Sequence, residues 1–374
     1  MIFDKVYVLT AGCILQLMKD VAARKFFTKA LVRWHANENT RSLPWKEEKD
    51  PYKIWLSEVI LQQTRAAQGL PYYLKFTEAL PTIQHMARAD DEDVFRLWQG
   101  LGYYNRCKNM LATARLITNE LKGKFPDTHE GLLALKGVGP YTAAAIGSFA
   151  FGLPLAVVDG NVYRVLSRYF GIETPFDTTE GKKQFSQLAQ ELLDTSDSAG
   201  YNQGIMDLGA TVCTPAAPLC NECPLQKHCV AFNQGLVDVL PVRSKKQKVR
   251  SRFFHYVILL AGDKIWIHKR GNGDIWENLN EFLLIEKGHE ADASELCKED
   301  MLKALKLKKA QLEYAGYITQ RLTHQLITTR FFIAWLPKPE NMPVEGGKWV
   351  NKSDLKKIAF PKTLVSFLEK NLYF

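Results

Sequence analysis

Leu135-Lys136-Gly137-Val138-Gly139-Pro140-Tyr141-Thr142, followed by Val157-Val158-Asp159-Gly160-Asn161-Val162-Tyr163-Arg164-Val165, is the stretch on which the reading of this chain turns. Two glycines one residue apart, ahead of a helix opened by Pro140, allow a tight turn that exposes backbone N–H groups. Such groups beside a helix N-terminus form a seat for phosphate, so Gly137 and Gly139 are candidate phosphate contacts. Asp159 follows an apolar run and precedes a helix that begins near Asn161. Backbone donors and the helix dipole there favour its ionised form. An aspartate at a helix start is most often only a cap, so its meaning depends on the rest of the chain.

Upstream, Leu43-Pro44-Trp45 precedes Asp50-Pro51-Tyr52-Lys53-Ile54-Trp55-Leu56-Ser57-Glu58-Val59-Ile60-Leu61-Gln62-Gln63-Thr64. Asp50 as N-cap with proline in the first turn predicts a helix over Tyr52 to Ala66. On that helix Glu58 and Gln62 stand one above the other. Ile54, Trp55, Leu56, Val59, Ile60 and Leu61 cover most of the remaining circumference, which places Glu58 in a partly buried environment. Burial raises a carboxyl pKa, the property a general acid requires.

Downstream, four of the seven cysteines form the series Cys213-x6-Cys220-x2-Cys223-x5-Cys229. Four thiolates this close repel one another unless a cation or an iron cluster neutralises them. Zinc would satisfy the same count, although paired C-x2-C units are its usual signature. An odd total with one tight group favours a metal site in a reducing compartment over a disulfide framework.

From roughly Lys19 to Phe232 the pattern is helical, with apolar-periodic stretches at Asp91 to Trp98, Asn109 to Leu121, Tyr141 to Phe149, Val162 to Phe170 and Lys182 to Leu193. Gln234 to Arg252 is basic, carrying Arg243, Lys245, Lys246, Lys248, Arg250 and Arg252. It reads either as a linker lying along a polyanion or as a solvated connector. Strand-like runs follow at Phe253 to Leu260, Lys264 to His268, Glu281 to Ile285 and Thr328 to Leu336, interrupted by one helical stretch at Ala293 to Leu305. The expected organisation is an N-terminal extension 1–18, a helical domain 19–233, a linker 234–252 and an α+β domain 253–374.

The 374 residues carry 49 Lys and Arg against 40 Asp and Glu, a net charge of +9 that suits a polyanionic partner without identifying one. No apolar run is long enough to span a bilayer, and a cytoplasmic location without membrane contact is expected. Residues 1–17 are apolar but carry Asp4 and Lys5, which fits an early start site as well as a signal peptide.

The Leu43-Pro44-Trp45, Trp55-to-Thr64, Gly100-Leu101-Gly102-Tyr103-Tyr104-Asn105-Arg106, glycine-turn, Val157-to-Val162 and cysteine segments occur in the order found in MutY-type adenine DNA glycosylases. The chain resembles that family, within the endonuclease III superfamily, over roughly residues 30 to 350. The resemblance implies an all-α helix-hairpin-helix glycosylase domain with an iron–sulfur cluster loop, plus a C-terminal α+β Nudix-like domain. It assigns Cys213, Cys220, Cys223 and Cys229 to a 4Fe–4S cluster, and it locates the enzyme at the nucleoid as a monomer. Glu58 would protonate N7 of adenine and Asp159 would stabilise the positive charge on the sugar. Tyr141 would be the third active-site member, and Asn161 would hold the network. A related bifunctional enzyme has lysine at the position of Tyr141, so base excision without strand cleavage is expected.

The resemblance further places Gln63 and Tyr103 in the base stack, with Leu101 in the same loop, and makes Arg41 and Arg106 phosphate contacts. The partner implied is duplex DNA carrying adenine opposite 8-oxoguanine or guanine. Trp276-Glu277-Asn278-Leu279 with Glu281-Phe282 resembles a segment of the family's recognition domain, with Asn280 where tryptophan is usual. Leu322-Thr323-His324 resembles its F-S-H loop, with Thr323 and His324 retaining the polar donors. No Nudix box is present, which removes the glutamates that pyrophosphohydrolysis requires. The alternatives are a bifunctional pyrimidine-lesion glycosylase/lyase and a non-catalytic iron–sulfur DNA-binding module. The retention of both Glu58 and Asp159 disfavours the second.

Overall fold

The computed structural model describes residues 21–244, 249–271, 273–308, 311–322, 324–340, 342 and 346–371. The expected extension 1–18, Lys245, Lys246 and Lys248 of the basic segment, and Thr323 lie outside them. The chain forms two compact units. The first takes the described residues up to Ala66, then Thr82–Gln84 and Thr113 to Ser244. The second takes Ala67–Pro81, His85–Ala112 and the described residues from Val249 to Asn371.

The first unit begins with α1 (Val21–Asn37), which buries Phe27, Leu31 and Trp34 at the spacing of one helical face. Helix α2 (Pro51–Leu61) opens as its sequence directs: Asp50 accepts a hydrogen bond from the Tyr52 N–H at 2.9 Å and proline occupies the first turn. From Ile54 to Ile60 every residue is buried, the pattern of a helix enclosed on all sides. The helix stops at Leu61 rather than at Ala66. Gln62 leaves the helical region with ψ 113° and Gln63 adopts φ 56°, so a turn separates α2 from α3 (Ala66–Ala79).

There follow α4 (Ile83–Arg88), α5 (Asp91–Trp98), α6 (Tyr104–Asn119), α7 (His129–Leu133), α8 (Pro140–Phe151), α9 (Gly160–Phe170), α10 (Thr179–Leu192), α11 (Ser198–Thr211) and α12 (Val230–Gln234). Helix α6 starts five residues ahead of the expected Asn109. The core of the first unit joins α1, α9, α10 and α11 through Phe27, Trp34, Leu166, Phe170, Phe185 and Leu208. Each fully buried large apolar side chain of this kind contributes about 1.5–3 kcal/mol.

In the second unit, β1 (Arg250–Ala261) is central. It pairs antiparallel with β2 (Lys264–Lys269) and with β4 (Leu283–Lys287), while β3 (Asn280–Glu281) pairs with the far edge of β2. On its other side β1 runs parallel to β6 (Gln325–Trp335), in register from Arg250↔Gln325 to Leu260↔Trp335. Strand β5 (Leu312–Arg321) forms an antiparallel pair with β6, and β7 (Lys348–Asn351) adds to β2. Phe254, Tyr256 and Ile258 enter one core while Val257 and Leu259 enter another, so β1 is buried on both faces.

Three expectations need correction here. The single helix over Ala293 to Leu305 is two short ones, α13 (Ala293–Leu296) and α14 (Asp300–Ala304), because Glu299 between them is extended at ψ 139°. The run Glu281 to Ile285 is split between β3 and β4, whose partners differ. Arg252, expected in the linker, is buried within β1. Helix α15 (Lys362–Asn371) closes one face, its Phe367 stacked on Phe331 of β6 at 3.9 Å. Among the described residues no helix is long and apolar enough to cross a membrane.

Candidate active site

Three helix ends in the first unit bring the candidate catalytic side chains together. Glu58 lies in the last turn of α2, Tyr141 in the first turn of α8, and Asp159 is the N-cap of α9. The Gln62 amide reaches the Thr142 hydroxyl at 3.3 Å and ties α2 to α8 beside them. Glu58 is only 6% exposed, and the Tyr141 hydroxyl is hydrogen-bonded to its carboxylate. Burial pushes the Glu58 pKa from 4.5 up to about 7; the Tyr141 bond opposes that shift and the charge of Asp159 adds to it.

Asp159 is in a different situation. Its Oδ1 accepts from the backbone N–H of Asn161 and of Val162, both at 2.8 Å, and its Oδ2 accepts from the Asn161 amide at 2.7 Å. The donors expected from the sequence are present, yet burial outweighs them and the net displacement of its pKa is upward from 3.8. Of the two carboxyls, Asp159 has three N–H donors and Glu58 has one phenol. When the pair shares a single proton, that proton rests on Glu58.

Asn161 holds Asp159 with its amide and accepts from Arg164 Nη2 at 2.8 Å through its Oδ1. Arg164 in turn donates to the Gly209 carbonyl at 2.7 Å and to the Cys213 carbonyl at 2.6 Å. A Cβ on Gly209 would come within 2.6 Å of Asn161 Cβ, so a glycine on α11 is what lets α9 approach this closely. One turn further along α9, Arg168 donates to the Thr214 carbonyl at 2.7 Å and stands 3.5 Å from Cys213 Sγ. Sequence reasoning missed Arg164 and Arg168; a basic residue five positions past a helix cap, facing an apolar core, was the available signal.

Cys213, Cys220, Cys223 and Cys229 line one cavity of about 30 Å³ together with Arg168. All six cysteines among the described residues are free thiols. Burial and the neighbouring sulfurs raise the pKa of Cys220 and Cys229, and carry Cys223 to about 12. No group of three or more His, Cys, Asp or Glu among the described residues is arranged to hold a single metal ion. Convergence of four soft donors on one small space is the observation that fits an iron–sulfur group.

The glycine turn needs glycine at one of its two positions. Gly137 has φ 79°, whereas Gly139 is extended at φ −91° and caps α8 with open space where a Cβ would sit. Gln63 is exposed. Arg41 is not a free surface cation: its Nη1 meets Asp207 Oδ1 at 2.7 Å, and Lys46 and Asn39 reach the other oxygen of the same buried carboxylate.

The second unit holds the remaining predicted contacts. Tyr103 is 48% exposed at φ 48°. Leu101, expected at the DNA, is 6% exposed and packs inward, because its N–H closes a turn onto the Trp98 carbonyl. Arg106 stacks on Trp98 at 5.1 Å and Tyr103 at 5.4 Å, and burial lowers its pKa to about 10. It braces its own loop. His324 is exposed and its carbonyl accepts from the Arg250 N–H at 3.0 Å.

Residues 56–194 match the HhH-GPD superfamily of base excision DNA repair proteins, and residues 255–370 match the NUDIX domain. The chain is 31% identical over 346 residues to a protein named adenine DNA glycosylase from Buchnera aphidicola subsp. Schizaphis graminum, covering 92% of this chain and 98% of that one. It is 43% identical over 224 residues to the human adenine DNA glycosylase, covering 58% of this chain and 41% of the human protein. Among solved structures, a thermostable thymine-DNA glycosylase aligns with a TM-score of 0.53 and 29% identity, over 57% of this chain and 98% of that one.

Proposed function

The chain belongs to the adenine DNA glycosylase family of base excision repair enzymes, which hydrolyse an N-glycosidic bond in DNA, and from this premise we propose that Glu58 and Asp159 divide the chemistry between them. The observation that carries the reading is the unequal environment of two carboxyls joined through one phenol: Glu58 buried with its pKa near 7, Asp159 held by three N–H donors. Glu58 delivers a proton to N7 of an extruded adenine. Asp159 remains charged and stabilises the oxocarbenium-like sugar as the bond to the base lengthens. Asn161 fixes the Asp159 carboxylate. Tyr141 orients Glu58, and because a phenol forms no imine with the sugar, the reaction ends at base excision.

Extrusion of the base costs a few kcal/mol, less at a mispair. Exposed Gln63 and Tyr103, both at positive φ, are suited to fill the stack, and the Gly137–Gly139 turn to hold a phosphate. Arg106 shapes the Tyr103 loop, and the charge of Arg41 is spent on Asp207. Residues 19–233 form the glycosylase region, 234–249 a basic linker, and the part from β1 at Arg250 onward reads the opposite base, 8-oxoguanine or guanine, with Thr323 and His324 as donors. The enzyme acts as a monomer at the nucleoid. Cys213, Cys220, Cys223 and Cys229 hold a 4Fe–4S cluster, which when bound fixes the loop structurally. Iron and acid-labile sulfide assays on the purified protein check the cluster, with both expected to fall in Cys223→Ser.

The decisive experiment is a single-turnover time course on duplexes carrying adenine opposite 8-oxoguanine, guanine or cytosine, with and without alkali. Preferential excision opposite 8-oxoguanine and guanine, with strand breaks only after alkali, is expected. Equal excision from all three duplexes would end the mispair reading, and breaks without alkali would end the monofunctional one.

A further inference from the structure

The second unit contains two buried arginines that the reaction does not use. Arg252 on β1 is 6% exposed and Arg270, just after β2, is 8% exposed. They converge on one carboxylate. Asp274 takes both Arg252 Nη atoms, each at 2.7 Å, and Arg270 Nη2 at 2.6 Å. Arg252 is also held by Glu286 at 2.6 and 2.7 Å, and Arg270 by Glu281 at 2.7 Å. The ring of Phe254 lies against both guanidiniums, 4.7 and 5.3 Å from them, and carries Trp276 edge-on at 5.8 Å.

Asp274 begins the segment Asp274-Ile275-Trp276-Glu277-Asn278, and Arg270 fastens that segment and the residue after it at three further points. Its Nε donates to the Ile275 carbonyl at 2.7 Å, its carbonyl accepts from the Asn278 N–H at 3.1 Å, and its N–H donates to the Leu279 carbonyl at 2.8 Å. Inside this ring Trp276 and Asn278 are held at φ 63° and 65°, conformations that a free loop of non-glycine residues rarely adopts. The segment then lines a cavity of about 610 Å³, shared with Tyr103, Arg106, Arg321, Leu322 and Lys362. At that cavity Glu277 is ion-paired with Lys108 of α6.

Two guanidiniums taken out of water are an unfavourable way to gain stability alone, since apolar residues of similar volume do as well or better. Their geometry is that of a clamp: Arg252 forks onto Asp274 and onto Glu286 with two N–H bonds each, and Arg270 bridges Asp274 and Glu281 with one each. We propose that Arg252 and Arg270, acting through Asp274, are positioning residues that set the 274–278 loop for discrimination of the base opposite the excised adenine. The inference rests on the reading of this unit as the part that recognises the opposite base. The clamp touches neither the reacting sugar nor the adenine; it fixes the wall against which the opposite strand is measured.

The test is the ratio of single-turnover adenine excision opposite 8-oxoguanine to that opposite guanine, in the full chain. Arg252→Met is expected to lower the ratio about tenfold, with excision opposite guanine within about threefold of wild type. Arg252→Lys, which keeps the charge without the fork, is expected to fold normally and to lose part of the ratio. Asp274→Asn is expected to match Arg252→Met in ratio, and combining the two should add little, as for residues acting through one contact. An unchanged ratio in folded Arg252→Lys and Asp274→Asn overturns the clamp alone. Equal loss of both rates, tracking the melting temperature, also overturns it, by reducing it to a structural role. A wild type with no preference between the two bases overturns the reading of the unit itself, and the clamp with it.

Discussion

Each unit of the molecule gathers a group of acidic side chains, and the two groups are treated in opposite ways. Around Glu58 and Asp159 no cation among the described residues makes direct contact with either carboxylate; the partners are a phenol, an amide and backbone N–H groups, and the Glu58 pKa is driven up to about 7. Around Asp274, Glu281 and Glu286 two arginines supply fixed positive charge, and the Asp274 pKa is driven well below 3.8. Burial dominates at Glu58, whereas at the partly exposed Asp274 the hydrogen bonds of Arg252 outweigh it and set the opposite sign. A carboxyl left without a cation becomes a proton store, and a carboxyl given one becomes a structural anchor.

Breaking the proton store has the largest expected effect. Glu58→Gln keeps shape and hydrogen bonds but removes the transferable proton, and adenine excision should fall about 10²–10⁴-fold in single-turnover assays. Undiminished activity would remove Glu58 from the mechanism. Breaking the anchor acts on stability instead. Arg270→Met leaves Glu281 buried without its cation, and about 3–5 kcal/mol should be lost in chemical denaturation of the full chain.

The pH dependences sharpen the same contrast. With its folded pKa near 7, Glu58 loses its proton as pH rises, so excision should decline about tenfold per unit above pH 7. The raised pKa favours the folded state below the ordinary value of 4.5, and that contribution disappears as pH rises through about 7. Glu58→Gln should therefore gain up to about 3 kcal/mol over wild type at pH 8 and little at pH 4. Asp274 has the opposite sign: its stabilisation is complete above 3.8 and is lost as pH falls toward its lower folded value. Acid should thus loosen the second unit, while mild base weakens the first. The smallest expected effect is at the glycine turn. Gly137→Ala should cost about 1–2 kcal/mol and Gly139→Ala stay within about 0.5 kcal/mol, since only Gly137 is left-handed.

The same contrast explains how much could be read from the chain beforehand. Helix α2 declared itself through Asp50, Pro51 and an almost unbroken apolar surface, and Glu58 stood out against it. The Asp159 cap was legible because its donors are two and three residues away. Arg252 was not legible, because its partners lie 22, 34 and 73 positions distant and nothing local separates it from the basic run before it. Strand β5 escaped for a related reason. It is an edge strand whose exposed Glu313, Tyr314 and Tyr317 and the irregularity between Tyr314 and Gly316 erase the alternation that marks a half-buried strand. The break after Leu61 depends on the left-handed backbone of Gln63, a conformation that no glycine announces.

The second unit draws on Ala67–Pro81 and His85–Ala112 as well as on the C-terminal third of the chain. During synthesis at about 5–20 residues per second, those early helices wait on the order of tens of seconds for the strands that complete them. The parallel pairing of β1 with β6, whose partners are more than 70 positions apart, adds a slow closure at the end. A ribosome that stalls before β6 therefore releases a chain with its first unit able to consolidate and its second still open, a species suited to capture by chaperones and to proteolysis. Nor would one cleavage between Ser244 and Arg250 liberate the second unit whole, because part of it would remain on the other fragment.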